Sequence, residues 1–146
     1  IEDVIAKVLI SHGQQLEGIN VLIDFANQEY KFRGNPLKLY DIFQNLVENA
    51  IESMVNVSSP VLKITTQIIE HEHVTIIEDN GCGISEEARK HIFEPFYTTK
   101  EIVEGRQRGL GLYNVWRMVE QHIGGIMVDS QLGKGTRFTV KYLLTE

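Results

Sequence analysis

Residues 74–88 read Val-Thr-Ile-Ile-Glu-Asp-Asn-Gly-Cys-Gly-Ile-Ser-Glu-Glu-Ala, and the punctuation of this stretch decides the fold class. Val74 to Asp79 is a β-branched run, and a period of two sets Asp79 on the face of Thr75 and Ile77. Asn80-Gly81 is by itself a strong hairpin signal. Beyond Gly83, however, the chain starts a helix and not a returning strand. Ser85 reads as the cap of a short helix with an acidic first turn (Glu86, Glu87) and a basic end (Arg89, Lys90, His91), as the helix dipole prefers. The segment therefore leads from strand to helix through a glycine turn.

On the N-terminal side, Val61 to Glu70 is a second β-branched run, joined to the first by the polar turn His71-Glu72-His73. Before it, Asn35-Pro36 reads as an N-cap with Pro at the first helical position. The helix it opens carries an apolar stripe at Leu39, Phe43, Leu46, Ala50 and Met54, widened by Ile42, Val47 and Ile51, and is expected to run until Pro60. Further upstream, Ile19 to Phe25 and Tyr30 to Arg33 fit short strands. Val4, Ile5, Val8 and Leu9 mark an opening helix that reaches Gly13. Downstream, Pro95 to Arg108 has almost no apolar periodicity and reads as a loop, expected to act as a lid. Leu112, Val115, Trp116, Val119 and Ile123 mark an amphipathic helix. Ile126 to Ser130 and Thr136 to Leu143 read as strands around a Gly133-Lys134-Gly135 turn. No repeat and no linker divides residues 1–146, so a single domain is expected. The order predicts a two-layer α/β sandwich, a mixed sheet with helices on one face.

Composition narrows the function. The chain has 146 residues, 42% hydrophobic and 23% charged, with a formal net charge of −6. That acidity argues against sequence-independent nucleic-acid binding, which needs clustered Lys and Arg. Cys82 is the only cysteine, which excludes an intrachain disulfide and leaves little room for a thiolate zinc site. No apolar run reaches the length of a membrane span, and Ile1-Glu2-Asp3 is no signal peptide. With no Met at the start, the sequence is expected to be part of a longer chain, in a soluble, reducing setting.

Four patches carry chemistry. Asn45 and Asn49 stack one helical turn apart, with Asp41, Glu48 and Glu52 nearby. Asn is a poor helix former, so a pair beside an apolar stripe points to amide oxygens as hard ligands for Mg²⁺ or its waters, or simply to two solvated side chains. Asp79, Gly81 and Gly83 place a carboxylate beside backbone that a flat ligand can approach; a plain turn is the alternative. Gly109-Leu110-Gly111-Leu112 opens a helix with free amides, an anion site or a ligand-free hinge. It lacks the Gly-Lys-Ser/Thr of a P-loop and the third glycine of a dinucleotide fingerprint. The loop offers Thr98, Thr99, Lys100, Arg106 and Arg108 as phosphate donors, with Phe93 and Phe96 as anchors, or is merely solvated. His12, His71, His73, His91 and His122 read as structural, and Cys82 as a bystander.

The order of these patches resembles a known family. Asn45-Leu46-Val47-Glu48-Asn49-Ala50 is similar to the asparagine box of sensor histidine kinases. Asp79-x-Gly81-x-Gly83 resembles their first glycine box, Phe93-Glu94-Pro95-Phe96-Tyr97-Thr98-Thr99-Lys100 their phenylalanine box, and Gly109-Leu110-Gly111-Leu112 their second glycine box. Gly133-Lys134-Gly135-Thr136 looks like the closing Gly-x-Gly-Thr. The resemblance implies an ATP-binding catalytic domain of the Bergerat fold, shared with gyrase, mismatch-repair and heat-shock-chaperone ATPases. It implies that Asp79 accepts from the adenine amine with Thr136 supporting through water, while Gly81 and Gly83 give clearance. Asn49 would coordinate Mg²⁺ with Asn45 beside it, and the amides of Leu110, Gly111 and Leu112 would hold phosphates, with Arg108 as a further donor. Hydrolytic relatives carry Glu where this chain has Asn45, which implies transfer to a histidine, not rapid hydrolysis; a hydrolysing ATPase and a catalytically degenerate nucleotide-binding module are the alternatives. Glu52 stands where a basic residue is frequent, and Gln107-Arg108 replaces a common Gly-Thr or Gly-Ser. The implied partners are ATP/ADP, a phosphoacceptor helical domain of the parent chain and a response regulator, in a cytoplasmic, homodimeric parent. Ser11-His12-Gly13 does not fit the phosphoacceptor pattern.

Overall fold

The computed structural model describes residues 1–98 and 110–146. In chain order the elements are α1 (Glu2–Ser11), β1 (Asn20–Asp24), α2 (Pro36–Ser53), β2 (Val61–Ile69), β3 (Glu72–Asp79), α3 (Glu86–Arg89), α4 (Gly111–Gln121), β4 (Gly124–Gln131) and β5 (Gly135–Leu143). The strands form one five-stranded sheet in the order β1-β2-β3-β5-β4. β1 pairs parallel with β2, and the remaining pairs are antiparallel. A parallel pair needs a crossover, and α2 lies in the one between β1 and β2.

α2 starts where its cap demands. Asn35 Oδ1 accepts from Leu37 N at 2.9 Å and Lys38 N at 3.5 Å, and Pro36 fills the first turn, where its missing donor is not needed. Its stripe of Leu39, Ile42, Phe43, Leu46, Val47 and Ala50 is buried. These side chains meet Ile5 and Val8 of α1, Val115 and Val119 of α4, and the sheet residues Leu62, Ile64, Ile77, Phe138, Val140 and Tyr142. The opposite sheet face is polar at Lys63, Glu78 and Arg137, and Arg137 reaches across to Glu78 at 2.7 Å. The expected sandwich of mixed sheet and helices is what forms.

Several local expectations need correction. α2 stops at Ser53, short of Pro60, because 55–59 (Val-Asn-Val-Ser-Ser) are poor helix formers. Tyr30 to Arg33 is no strand; only Lys31 bridges to Thr145, past the end of β5. Both neighbours of β3 are taken, and Tyr30 and Phe32 serve as anchors: Tyr30 bonds Glu2, and Phe32 packs on His122 and Tyr142. β3 begins at Glu72, not Val74, since the turn needs only Glu70 and His71, with Glu70 at φ 54°. On α4, Trp116 and Ile123 do not join the apolar face. Trp116 is exposed and stacks on Tyr113, while Ile123 lies beyond the helix end. Phe93 packs on the core as expected of an anchor, but Phe96 is exposed. The expected lid falls almost wholly outside the described residues.

Candidate functional site

Asp79 ends β3 on the helix-facing side, level with Leu62 of β2 and Thr136 of β5; Thr136 in turn is level with Ser130 of β4. Asp79, Thr136 and Ser130 make this row polar beyond Leu62, which still belongs to the core. Asp79 Oδ1 accepts from Gly81 N at 2.8 Å and from Ser53 Oγ at 3.0 Å, the Ser53 proton being shared with Ala50 O at 2.8 Å. Burial pushes the Asp79 carboxyl above the ordinary carboxylate range, opposed by donation from Gly81, Ser53 and the Thr136 backbone.

The loop after β3 is wedged between α2 and the β4–β5 hairpin. A Cβ on Gly81 would stand 2.1 Å from Ser53 Oγ, so only glycine leaves that hydroxyl on Asp79. Cys82 N bonds Ser53 O at 2.9 Å, and Gly133 N bonds Cys82 O at 2.7 Å. Gly83, at φ +72°, has no room for a Cβ against Gln131 O, and Gly135, at φ +129°, has none against Asp79 O. Asn80, read as half of a turn signal, ties the strand start instead: Val61 N donates to its Oδ1 at 2.8 Å, and its Nδ2 donates to Ser59 O. At the sheet end beside Asp79 and Thr136 opens a cavity of about 360 Å³, lined also by Ser130, Lys134, Gly135 and Arg89 and, from the opposite sheet face, by Glu78, Asp129 and Arg137.

The second pole lies along α2. Asn45, Asn49 and Ser53 follow one another at intervals of four and so form one row on the helix. Ser53 touches Asp79 at one end. At the other, Asn45 Nδ2 donates to Asp41 O at 2.7 Å, and Asn45 Oδ1 lies 2.8 Å from the point where a Cβ on Gly111 would stand. Gly111 begins α4, with Leu110 as its N-cap and Leu112 packed on the core. Asn45, Asn49 and Gly111 do not line the 360 Å³ cavity, so the two poles are joined by the helix row.

The structure thus brings together Asp79, Gly81, Gly83 and Thr136 at one pole and Asn45 and Gly111 at the other, with Asn49 between. Thr98 is the last described residue before the gap. Thr99, Lys100, Arg106, Gln107, Arg108 and Gly109 lie outside the described residues. Ser53 and Ser130 were not picked out by sequence reasoning. Ser53 was findable as the next member of the asparagine row. Ser130 was findable as a polar residue at an inward position of β4.

The donor set also bears on a metal. Among the described residues, no group of three or more His, Cys, Asp or Glu side chains converges. Asn45 nevertheless turns its amide oxygen towards the start of α4. One or two neutral oxygens suit Mg²⁺, which keeps waters and phosphate oxygens as its other ligands, while the helix N-terminus suits the phosphates and not the cation.

Residues 34–146 match the family described as histidine kinase-, DNA gyrase B-, and HSP90-like ATPase. Sporulation kinase E of Bacillus subtilis (strain 168) is 35% identical over 133 residues, which cover 90% of this chain and 17% of that protein. Sporulation kinase A of the same organism is 36% identical over 137 residues, covering 93% of this chain and 22% of the relative. The chain therefore spans only a minor part of these curated relatives. The solved catalytic domain of the histidine kinase ThkA, in a nucleotide-free form, superimposes with a TM-score of 0.83 at 25% identity, covering 98% of this chain and 91% of that one. Full-length ShkA in complex with AMPPNP shares the fold, with a TM-score of 0.84 at 22% identity over 99% of this chain and 30% of its own.

Proposed function

This chain belongs to the histidine kinase-, DNA gyrase B-, and HSP90-like ATPase family, and we propose that it is the ATP-binding catalytic domain of a sensor histidine kinase. It would donate the γ-phosphoryl group to a histidine on a separate helical domain of a longer parent, for relay to a response regulator. The observation that carries this reading is the Asn45–Asn49–Ser53 row. Its ends stand roughly 12 Å apart along the helix axis, with a half-buried carboxylate at one and a helix N-terminus at the other. That is a site with a base end and a phosphate end.

At the base end, Asp79 accepts from the exocyclic amine of adenine, and Thr136 supports it through water. At the phosphate end, the amides of Leu110, Gly111 and Leu112 and the α4 dipole meet negative charge. Asn49, with Asn45 beside it, would hold Mg²⁺, which screens the phosphate charge when bound. Thr98, Thr99, Lys100, Arg108 and Gly109 are proposed from the sequence as further phosphate contacts. Asn45 cannot accept a proton from water as a carboxylate would, which favours transfer over hydrolysis. In the transfer, the acceptor imidazole nitrogen bonds the γ-phosphorus as the bond to ADP breaks, and ADP leaves with the electron pair.

Four of the domain's five histidines are engaged within the fold, and the fifth, His71, is exposed in the β2–β3 turn. His73 is buried against Glu2, and His12 against Val8 O and Glu48. His122 Nδ1 donates to Met118 O while its Nε2 accepts from Asn35 N, and His91 pairs with Glu94. A homodimeric parent with this domain in the cytoplasm, where ATP is supplied, completes the proposal; no helix among the described residues is long and apolar enough to cross a membrane. Calorimetry of Mg²⁺-ATP binding to Asp79→Ala tests it. Loss of a hydrogen bond to a charged group should weaken binding by about 1.5–3 kcal/mol. Unchanged affinity would remove the base end from the proposal.

A further inference from the structure

Ser130 faces inward from β4 and serves three partners with one hydroxyl. Ile84 N donates to its Oγ at 2.7 Å, its own proton is directed at Gly135 O at 2.9 Å, and Thr136 Oγ1 lies 2.9 Å away. A hydroxyl has one proton and two lone pairs. The proton is engaged by the Gly135 carbonyl, and one lone pair by the Ile84 amide. The remaining lone pair can only accept, so Thr136 is the donor in the contact between the two hydroxyls. Thr136 itself is buried, and both residues line the cavity beside Asp79.

We propose that Ser130 is a positioning residue for base recognition, fixing the rotamer of Thr136 and engaging its proton so that Thr136 meets the ligand as an acceptor. This rests on the proposed function, in which Asp79 and Thr136 face the nucleobase. Ionised Asp79 is also an acceptor, so this end of the site presents oxygens without protons. A base edge carrying an amino group supplies the matching donors, directly or through a water that donates to one oxygen. A carbonyl at the same position sets lone pair against lone pair. Ser130 thereby favours a 6-amino over a 6-oxo purine, although it sits one residue behind the recognising pair. The same hydroxyl clasps Ile84, at the end of the glycine loop, to the hairpin, so recognition and loop placement share one group.

The test is a comparison of ATP and inosine triphosphate, each titrated into the chain with Mg²⁺. Ser130→Ala frees the Thr136 proton. ATP affinity should fall on the order of three- to tenfold, the range of one neutral hydrogen bond, while inosine triphosphate affinity falls less or rises, so the preference narrows. Ser130→Thr keeps a hydroxyl and should restore the preference. In a Thr136→Val background, Ser130→Ala should leave the ratio unchanged, because residues that act through one another are non-additive. Equal losses for both nucleotides, or a ratio change that persists without the Thr136 hydroxyl, would overturn the proposal. If Ser130→Ala fails to fold by thermal melting, Ser130→Cys, a far weaker donor and acceptor, is read in the same way. If Asp79→Asn and Thr136→Val themselves leave ATP affinity unchanged, it is the underlying base-end reading that fails. That result is distinct from one in which those variants act and Ser130 does not.

Discussion

Burial raises the proton affinity of the Asp79 carboxyl, and the three donors around it only partly restore the charged form. The sign matters for stability. A carboxyl whose folded pKa lies above its unfolded value binds protons more tightly in the native state, so stability falls as pH rises from 3.8 through the folded value. At neutral pH the ionised group is a standing cost to the ligand-free fold. Asp79→Asn removes the charge but keeps an amide oxygen for Gly81 N and Ser53 Oγ. The ligand-free variant should therefore melt at a higher temperature than the parent at pH 7 while losing ATP binding, read by scanning calorimetry. A lower melting temperature would show that the charge itself holds the loop. Tyr142 supplies a second case. Its hydroxyl is buried without a hydrogen-bond partner among the described residues, and burial alone raises its pKa. Tyr142→Phe should leave stability unchanged or raise it by up to about 1 kcal/mol in urea denaturation, since no hydrogen bond is lost.

Elements were legible where a local rule and the tertiary environment agree. Asn35-Pro36 marked the start of α2 because the cap is made by the residue itself: Oδ1 takes two amides that no preceding turn can satisfy. Asn35→Ala should cost about 1 kcal/mol in equilibrium unfolding, and an unchanged midpoint would mean that His122, which accepts from Asn35 N, fixes the helix entry alone. The β2–β3 pair and Ser85 were legible for the same reason, and Ala88 N does bond Ser85 Oγ at 3.1 Å. The misses arose where partners distant in sequence decide. Tyr30 to Arg33 alternates like a strand, but its aromatic rings are held by Glu2 and His122, and the sheet has no free position beside β3. Trp116 fits a helical period by spacing, yet the buried face of α4 is set by Val115 and Val119 against α2 and β4. The site was legible as boxes because glycines and carboxylates are local. Ser53 and Ser130 were not, because their roles appear only when α2 and β4 meet the glycine loop.

Across the full fold, α1 is fastened to the sheet through one carboxylate. Glu2 sits in the first turn of α1, where the dipole favours an acid, and accepts from Thr66 Oγ1 and His73 Nε2, each at 2.8 Å, and from the Tyr30 hydroxyl. Burial opposes its charge, but these donors outweigh burial and lower its pKa from 4.5 to about 2. His73 is fully buried, and burial lowers its pKa despite the nearby Glu2. Its partners suit the neutral ring: Nε2–H donates to Glu2, and Nδ1 faces the Thr75 hydroxyl at 3.4 Å. Both shifts have the same sign for stability. The unfolded chain takes up protons that the native state refuses, first at His73 as pH drops below 6.5, then at Glu2 between 4.5 and about 2. These two groups should thus stabilise the fold most above pH 6.5 and lose that contribution in two steps on acidification, the second worth on the order of 1–3 kcal/mol, while Asp79 contributes with the opposite sign. Glu2→Gln should flatten the second step and deepen the first, because burial depresses His73 and the Glu2 carboxylate opposes that depression. Urea midpoints measured from pH 8 to pH 3 in both proteins decide it: parallel curves would mean that Glu2 does not hold α1 on the sheet, and that the apolar contacts of Ile5 and Val8 do so alone.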